Sequence, residues 1–258
     1  MEFLGVDIGV SSIKYGRVRL EEESPIQNFD EIVIPQNSRE KEYARAINSL
    51  LQSMLPYQAV CFGFPSRIWK NKILREDIDF DGLWVKVQKD LQIQKIPHFS
   101  MNDADAAGMA EIYRKGAEEL RQGVTVLLTL GSGIGSAIFL DGKLLPNTEM
   151  GAIEMHGMRA ELYTAASIKT QESLTIHEWA ERLQEYLKVV EHILSPNHLV
   201  LGGGISADFS MYKNLLKTRA SLQPAFYRNQ AGVIGAAIYA AQQTHYADQI
   251  SLTSSESS

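Results

Sequence analysis

Cysteine is almost absent: Cys61 is the only one in 258 residues. A single thiol cannot close a disulfide within the chain, and a cysteine-built zinc site goes with it. Cys61 stands in the apolar run AVCFGF, where a small buried hydrophobe is expected. No run of about 18 apolar residues is present, so no membrane partner is expected. The opening MEFLGVDIG lacks the basic start and long apolar stretch of a secretory leader, which makes the cytoplasm the default compartment. Positive charge is in deficit, with 25 Lys and Arg against 31 Asp and Glu and a net charge of −6. That balance is a poor match for nucleic acid or an anionic membrane surface. It does not exclude a small phosphorylated ligand, because a local basic pocket holds a phosphate on an acidic protein.

What the chain has is 45% apolar residues and a length comfortable for two lobes. Residues 3–8 are apolar and β-prone, 9–12 form a small-residue turn, 13–18 alternate as a second strand, and 32–34 suggest a third. Asn37 and Glu40 resemble a capping box, ahead of Ala44, Ile47, Leu51 and Met54 at helical spacing. Residues 59–64 read as a buried strand. From 66 to 91 the chain is harder to read, with the acidic loop EDIDFDGLW followed by a helix. A short strand near 98–100 leads into a helix from 104 to about 119. The second half opens with a strand at 124–129, a glycine-rich turn at 131–135 and a returning strand at 136–140. Thr175 and Glu178 start a helix that carries Trp179, Leu183, Leu187, Val190 and Leu194 on one face. A strand at 199–201, the turn Gly202-Gly203-Gly204 and a small-residue helix at about 231–242 follow, then a serine-rich tail expected to lack structure. DIGVSSIK and TLGSGIGSAI thus repeat one arrangement of strand, small-residue turn and strand.

Four segments carry candidate chemistry. In Asp7-Ile8-Gly9-Val10-Ser11-Ser12-Ile13-Lys14, a small-residue turn lets backbone N–H groups approach phosphate oxygens, and a carboxylate can hold Mg²⁺ through water. Taken alone, this segment reads first as an ordinary hairpin with a turn aspartate. Residues 129–137 place Gly131, Gly133 and Gly135 around Ser132, again suited to a phosphate or to a tight hairpin. Asn102-Asp103-Ala104-Asp105 joins a strand to a helix: an aspartate there can accept a hydroxyl proton or simply cap the helix. The polar loop at 146–154 offers carboxylates and amides for sugar hydroxyls, or is a solvated loop.

In this order the segments resemble the motifs of the ROK family of sugar kinases. DIGVSSIK is similar to the first phosphate motif, NDADAAGMAE to the Asn-Asp segment and TLGSGIGSAI to the second phosphate motif. LVLGGGIS resembles the nucleotide-side turn and AGVIGAAI the closing helix. NDADAAG, LLPNTEMG, VEHILSPNHLVLGGGIS and RNQAGVIGAA resemble the polyphosphate glucokinases within that family, over nearly the whole chain from Phe3 to about Ala241. The cysteine-rich zinc motif is missing, so no structural zinc is implied. No helix-turn-helix precedes the first strand, unlike the repressor branch.

The resemblance implies an α/β fold of two actin-like, ribonuclease H-like lobes with a central cleft. Residues 1–102 would form the small lobe, with the closing helix 231–244 packed back on it. Residues 103–230 would form the larger lobe, and 245–258 a disordered tail. It implies phosphorylation of a hexose, first of all glucose at its 6-hydroxyl, by polyphosphate or ATP with Mg²⁺. The rivals are an ATP-dependent kinase for another hexose and a sugar-binding protein with weak or lost activity. Asp103 would be the general base. Asn102, Glu149, Glu161, Pro65, Ser66 and Asp79 would serve the sugar. Gly9, Ser11, Ser12, Lys14, Thr129, Gly131, Ser132, Gly133, Gly202, Gly203 and Gly204 would line the donor, with Asp7 serving Mg²⁺ through water. A homodimer is implied, and the helix of Trp179 to Leu194 is its candidate interface. The chain departs from the family at Val10, Ser66 and Asp79. It also has Ala152 where the family has a histidine that touches the sugar, and His156 lies four residues further on.

Overall fold

The structure is a computed structural model. It describes all residues except 23–24, 36–37, 76–77 and 256–258, with backbone only for 246–255. The chain divides into two compact units, Met1–Ala110 with Gly232–Ser258, and Glu111–Ala231. The division falls after Ala110 rather than after Asn102, because the helix that starts at Asp103 packs on the first sheet: a Cβ on Gly63 would lie 3.7 Å from Ala106 Cβ.

In the first unit, β1 (Phe3–Ile8), β2 (Ser12–Val18) and β3 (Ile26–Val33) form an antiparallel meander. Helix α1 (Glu40–Ser53) then crosses to β4 (Val60–Phe64), parallel to β1. A hairpin, β5 (Ile68–Trp69) and β6 (Lys72–Ile73), precedes α2 (Phe80–Ile93). β7 (His98–Asn102) pairs parallel with β4 and leads into α3 (Asp103–Tyr113). The sheet order is β3-β2-β1-β4-β7. VCFGF is buried throughout, as a parallel strand covered on both faces requires. Tyr43, Ile47 and Leu50 of α1 and Phe80, Leu83 and Trp84 of α2 join Leu4, Val6, Ile8, Phe62 and Phe64 in one core.

The expected cap at Asn37 lies outside the described residues. α1 begins at Glu40, and Glu42 reaches back to accept the Arg39 N–H at 2.9 Å. The helix expected to run to about residue 119 stops at Tyr113, since Gly116 takes a left-handed conformation (φ 79°) that an α-helix cannot continue through.

The second unit repeats the topology. β8 (Val124–Leu130), β9 (Ile134–Leu140) and β10 (Lys143–Leu145) are the meander. A small hairpin follows, β11 (Glu154–Met155) and β12 (Met158–Arg159). Short helices α4 (Glu161–Thr164) and α5 (Ala166–Gln171) then precede the long α6 (Ile176–Leu194). β13 (His198–Gly202) pairs parallel with β8. After α7 (Phe209–Tyr212), β14 (Ser221–Pro224) extends the sheet in the order β10-β9-β8-β13-β14. Thr175 and Glu178 cap α6 reciprocally, as the sequence suggests. Trp179, Leu183, Leu187 and Val190 are fully buried in this unit's own core, so they present no interface.

The last helix, α8 (Ala231–Ser255), belongs to the first unit, where a Cβ on Gly5 would overlap Val233 O and one on Gly235 would overlap Ala106 O. It runs past residue 245, where the tail was expected to begin, since AAQQTHYADQ contains neither proline nor glycine to end it. No helix of the described residues is long and apolar enough to cross a membrane.

Candidate active site

In the first unit the candidate groups stand at the carboxyl ends of the parallel strands, the edge where open α/β sheets bind ligands. Asp7 is level with Gly63, and Phe64 with Asn102. Asn102 Oδ1 accepts the N–H groups of Ala104 (2.9 Å) and Asp105 (3.0 Å), so Asn102 rather than either aspartate caps α3. Its Nδ2 donates to Ser66 O at 3.1 Å and ties the Pro65-Ser66 corner to the helix start. Asp103, the first residue of α3, receives the N–H of Ala104 on Oδ1 at 2.8 Å.

The turn after β1 closes with Gly9 N donating to Ser12 O at 2.8 Å. The Tyr43 hydroxyl, on α1, reaches the carbonyls of Val10 (3.0 Å) and Gly9 (3.3 Å). Val10 does not need glycine's conformations: its φ is not positive, and its side chain is 54% exposed. Asp7, Lys14 and Glu31 stand level across β1, β2 and β3. Burial pushes the Asp7 carboxyl up to about 6, against a downward pull from Lys14 and with a smaller upward push from Glu31.

In the second unit, the 131–133 and 202–204 turns end neighbouring parallel strands, with Thr129 level with Gly202. Gly203 (φ 81°) packs on Leu130 O so closely that no Cβ fits, and Ser206 N and Oγ both donate to its carbonyl, at 3.1 and 2.7 Å. A Cβ on Gly133 would lie 2.8 Å from Glu161 Oε2, whereas Gly131 has open space in that direction. Ser167, on α5, donates its N–H to Gly131 O (3.0 Å) and its hydroxyl to Ser132 O (2.9 Å). The loop bearing Glu149 is fastened to β9: Ser136 Oγ donates to Thr148 O (2.8 Å) and accepts from Met150 N (3.0 Å). Glu161 therefore lies against the glycine turn, and Glu149 is held between two anchored neighbours.

Asp79 and His156 each have a partner within their own unit. Asp79 Oδ1 accepts the Gly82 N–H at 2.8 Å and caps α2, while Trp84 is buried in the core. His156 sits in the β11–β12 turn, 2.8 Å from Glu185 on α6 with its ring against Tyr163, and so does not stand in for a histidine at exposed Ala152.

No family model matches the sequence. The chain is 34% identical over 240 residues to the polyphosphate glucokinase of Mycobacterium leprae, covering 91% of this chain and 73% of that protein. The chain belongs to the polyphosphate glucokinase family. Its structure is similar to that of the inorganic polyphosphate/ATP-glucomannokinase of an Arthrobacter strain, with a TM-score of 0.82 and 32% identity over 94% of this chain and 99% of that one. A ROK family glucokinase of Streptomyces griseus, 20% identical, shares the fold at a TM-score of 0.72 over 94% and 100% of the two chains.

Within this polyphosphate glucokinase family member, sequence reading missed Tyr43, Ser136 and Ser167. Tyr43 lies on the apolar stripe of α1 and reads as core. The two serines show no local signal, because their partners are backbone carbonyls up to 35 residues away. The chain also suits a magnesium ion at Asp7. Mg²⁺ keeps several waters and uses one or two carboxylates with substrate phosphates, so it needs no protein cage, and none of three or more ligands gathers among the described residues. Asp7 stands level with Lys14 on the neighbouring strand and burial raises its proton affinity, so a further cation nearby would favour its ionised form.

Proposed function

We propose that this protein transfers the terminal phosphoryl group of polyphosphate or ATP to the 6-hydroxyl of glucose. The observation that carries the reading is the kinship with polyphosphate glucokinases, joined to a carboxylate, Asp103, that opens a helix at the carboxyl edge of the first sheet. Glucose O6 attacks the terminal phosphorus. The O6–P bond forms as the bond to the donor's bridging oxygen breaks, and the hydroxyl proton passes to Asp103. The donor leaves as a chain one phosphate shorter, or as ADP. Most of the catalysis is positioning and charge stabilisation.

The residues take roles that follow their places in each unit. Pro65 and Ser66, held by Asn102, together with Glu149 and Glu161, orient the sugar hydroxyls. Asn102 spends three of its four hydrogen-bonding positions inside the chain and offers one amide N–H to the sugar. Gly9, Ser11, Ser12, Lys14, Thr129, Gly131, Ser132 and Gly133 surround the transferred phosphoryl group, and Gly202, Gly203 and Gly204 flank the rest of the donor. Asp7 holds Mg²⁺ through water. When bound, that ion supplies charge neutralisation on the donor's phosphates. The working form is a homodimer on family resemblance alone, since the apolar face of α6 is spent in the core. Light scattering at micromolar concentration tests that state.

The test of the activity is a panel of polyphosphate and ATP against glucose, mannose and N-acetylmannosamine. Glucose 6-phosphate should form with at least one donor. No transfer to glucose from either donor overturns the reading.

A further inference from the structure

We infer that Tyr43 and Ser167 are positioning residues that pre-set the backbone donors of the two phosphate turns. In each unit one residue of a helix following the turn faces two successive carbonyls of that turn: Tyr43 through its hydroxyl, Ser167 through its N–H and its hydroxyl. The inference rests on the phosphoryl-transfer reading above and deepens it.

The argument starts from the planar trans peptide, in which the C=O of one residue and the N–H of the next point in opposite directions. Ser167 N donates to Gly131 O at 3.0 Å, so the Ser132 N–H is turned away from α5. Ser167 Oγ donates to Ser132 O at 2.9 Å, so the Gly133 N–H is turned the same way. Two successive amide donors thereby face one direction. Neither has a partner among the described residues. The first unit repeats this with a different side chain. The Tyr43 hydroxyl lies 3.3 Å from Gly9 O and 3.0 Å from Val10 O, which turns the N–H groups of Val10 and Ser11 away from α1. These too donate to nothing among the described residues.

Paired N–H groups of this kind make an anion-binding concavity, and they stabilise a developing charge best when they need no reorganisation. A small-residue turn left to itself samples peptide flips, and glycine flips most freely. The hydroxyls remove that freedom at the place where the donor's oxygens must be met. Tyr43 is 1% exposed, so its hydroxyl is committed to the turn rather than to water. Gly131 has open space where a Cβ would stand, so a ligand can approach the turn without displacing the chain.

The test uses Tyr43→Phe, Ser167→Ala and Ser167→Thr in the full chain. Two quantities are read: the affinity for inorganic tripolyphosphate by calorimetry, and the KM values for donor and for glucose. Tyr43→Phe and Ser167→Ala should each weaken tripolyphosphate binding and raise the donor KM about three- to tenfold, with the glucose KM unchanged. Ser167→Thr, which keeps the hydroxyl, should restore the native values. Unchanged tripolyphosphate affinity in both hydroxyl-free variants overturns the inference. So does a Ser167→Thr protein as weak as Ser167→Ala, or a rise in both KM values that tracks a fall in melting temperature. The calorimetry needs no turnover, so an inactive native protein that still binds tripolyphosphate counts against the activity reading and leaves the role of the hydroxyls measurable.

Discussion

Gly232 lies against the carboxyl group of Asp7, and a Cβ on that glycine would come within 2.7 Å of both Cγ and Oδ2. The first turn of α8 thus sets where the only carboxylate on β1 can stand. Gly232→Ala should displace Asp7 and lower kcat on the order of 10²-fold, the usual effect of a displacement near 1 Å. Helix propensity alone favours alanine by about 1 kcal/mol. A melting temperature that falls despite this gain would report the collision, and unchanged kcat would separate Asp7 from the chemistry.

Asp7 also makes a prediction about pH. Its folded pKa is raised to about 6 from an ordinary 3.8, chiefly by burial. The unfolded chain releases this proton near pH 4 and the folded chain only near pH 6. Between them the folded state holds more protons, so stability falls as pH rises through this window. The loss is fully present at pH 7 and amounts to roughly 3 kcal/mol at most. Asp7→Asn should therefore raise the melting temperature at pH 7 and leave it nearly unchanged at pH 4. Equal shifts at both pH values would rule out the titration as the cause.

Asp103→Asn keeps the size of the side chain and removes the proton acceptor. Turnover should fall by about 10²- to 10⁴-fold, the range general-base catalysis supplies. Glucose binding by calorimetry should stay within a few-fold of native. Native turnover in this variant would sink the assignment of Asp103.

Ala152 ends the 3₁₀ turn that follows Glu149, with its N–H donating to Glu149 O at 3.1 Å and its side chain exposed. Ala152→His adds a group able to reach a sugar hydroxyl beside that glutamate. The glucose KM should fall about three- to tenfold, the worth of one added hydrogen bond. If neither affinity nor sugar preference changes, position 152 does not line the sugar site.

What could be read from the sequence was local. Thr175 with Glu178 announces α6 three residues apart, and the small-residue turns after residues 8 and 130 announce themselves by composition. The strand VCFGF and the core of β13 at 199–201 declare themselves as unbroken apolar runs. What escaped depends on partners far away in the chain. The hairpin of Ile68–Trp69 with Lys72–Ile73 is two residues wide on each side, too short for any period to register. Asp79 gives no sign in the sequence that its carboxylate will cap α2. Glu111 offers no hint that its carboxylate will accept the backbone N–H groups of Phe226 and Tyr227, both at 2.9 Å. The residues of the turns themselves were legible as motifs; Tyr43 and Ser167, which hold the turns from behind, were not.

Helix α8 has a consequence for how the chain is made. It is synthesised after the second unit, yet it seats the Val233 carbonyl against Gly5 and Gly235 against Ala106, with no room for a Cβ at Gly5 or Gly235. The first unit is thus interrupted by the whole of the second, and a nascent chain leaving the ribosome exposes the bare face of its first sheet until residue 232 and beyond emerge. The intervening unit has its own complete sheet and core, and can fold while the first waits. Any product that stops early lacks the backbone wedge beside Asp7.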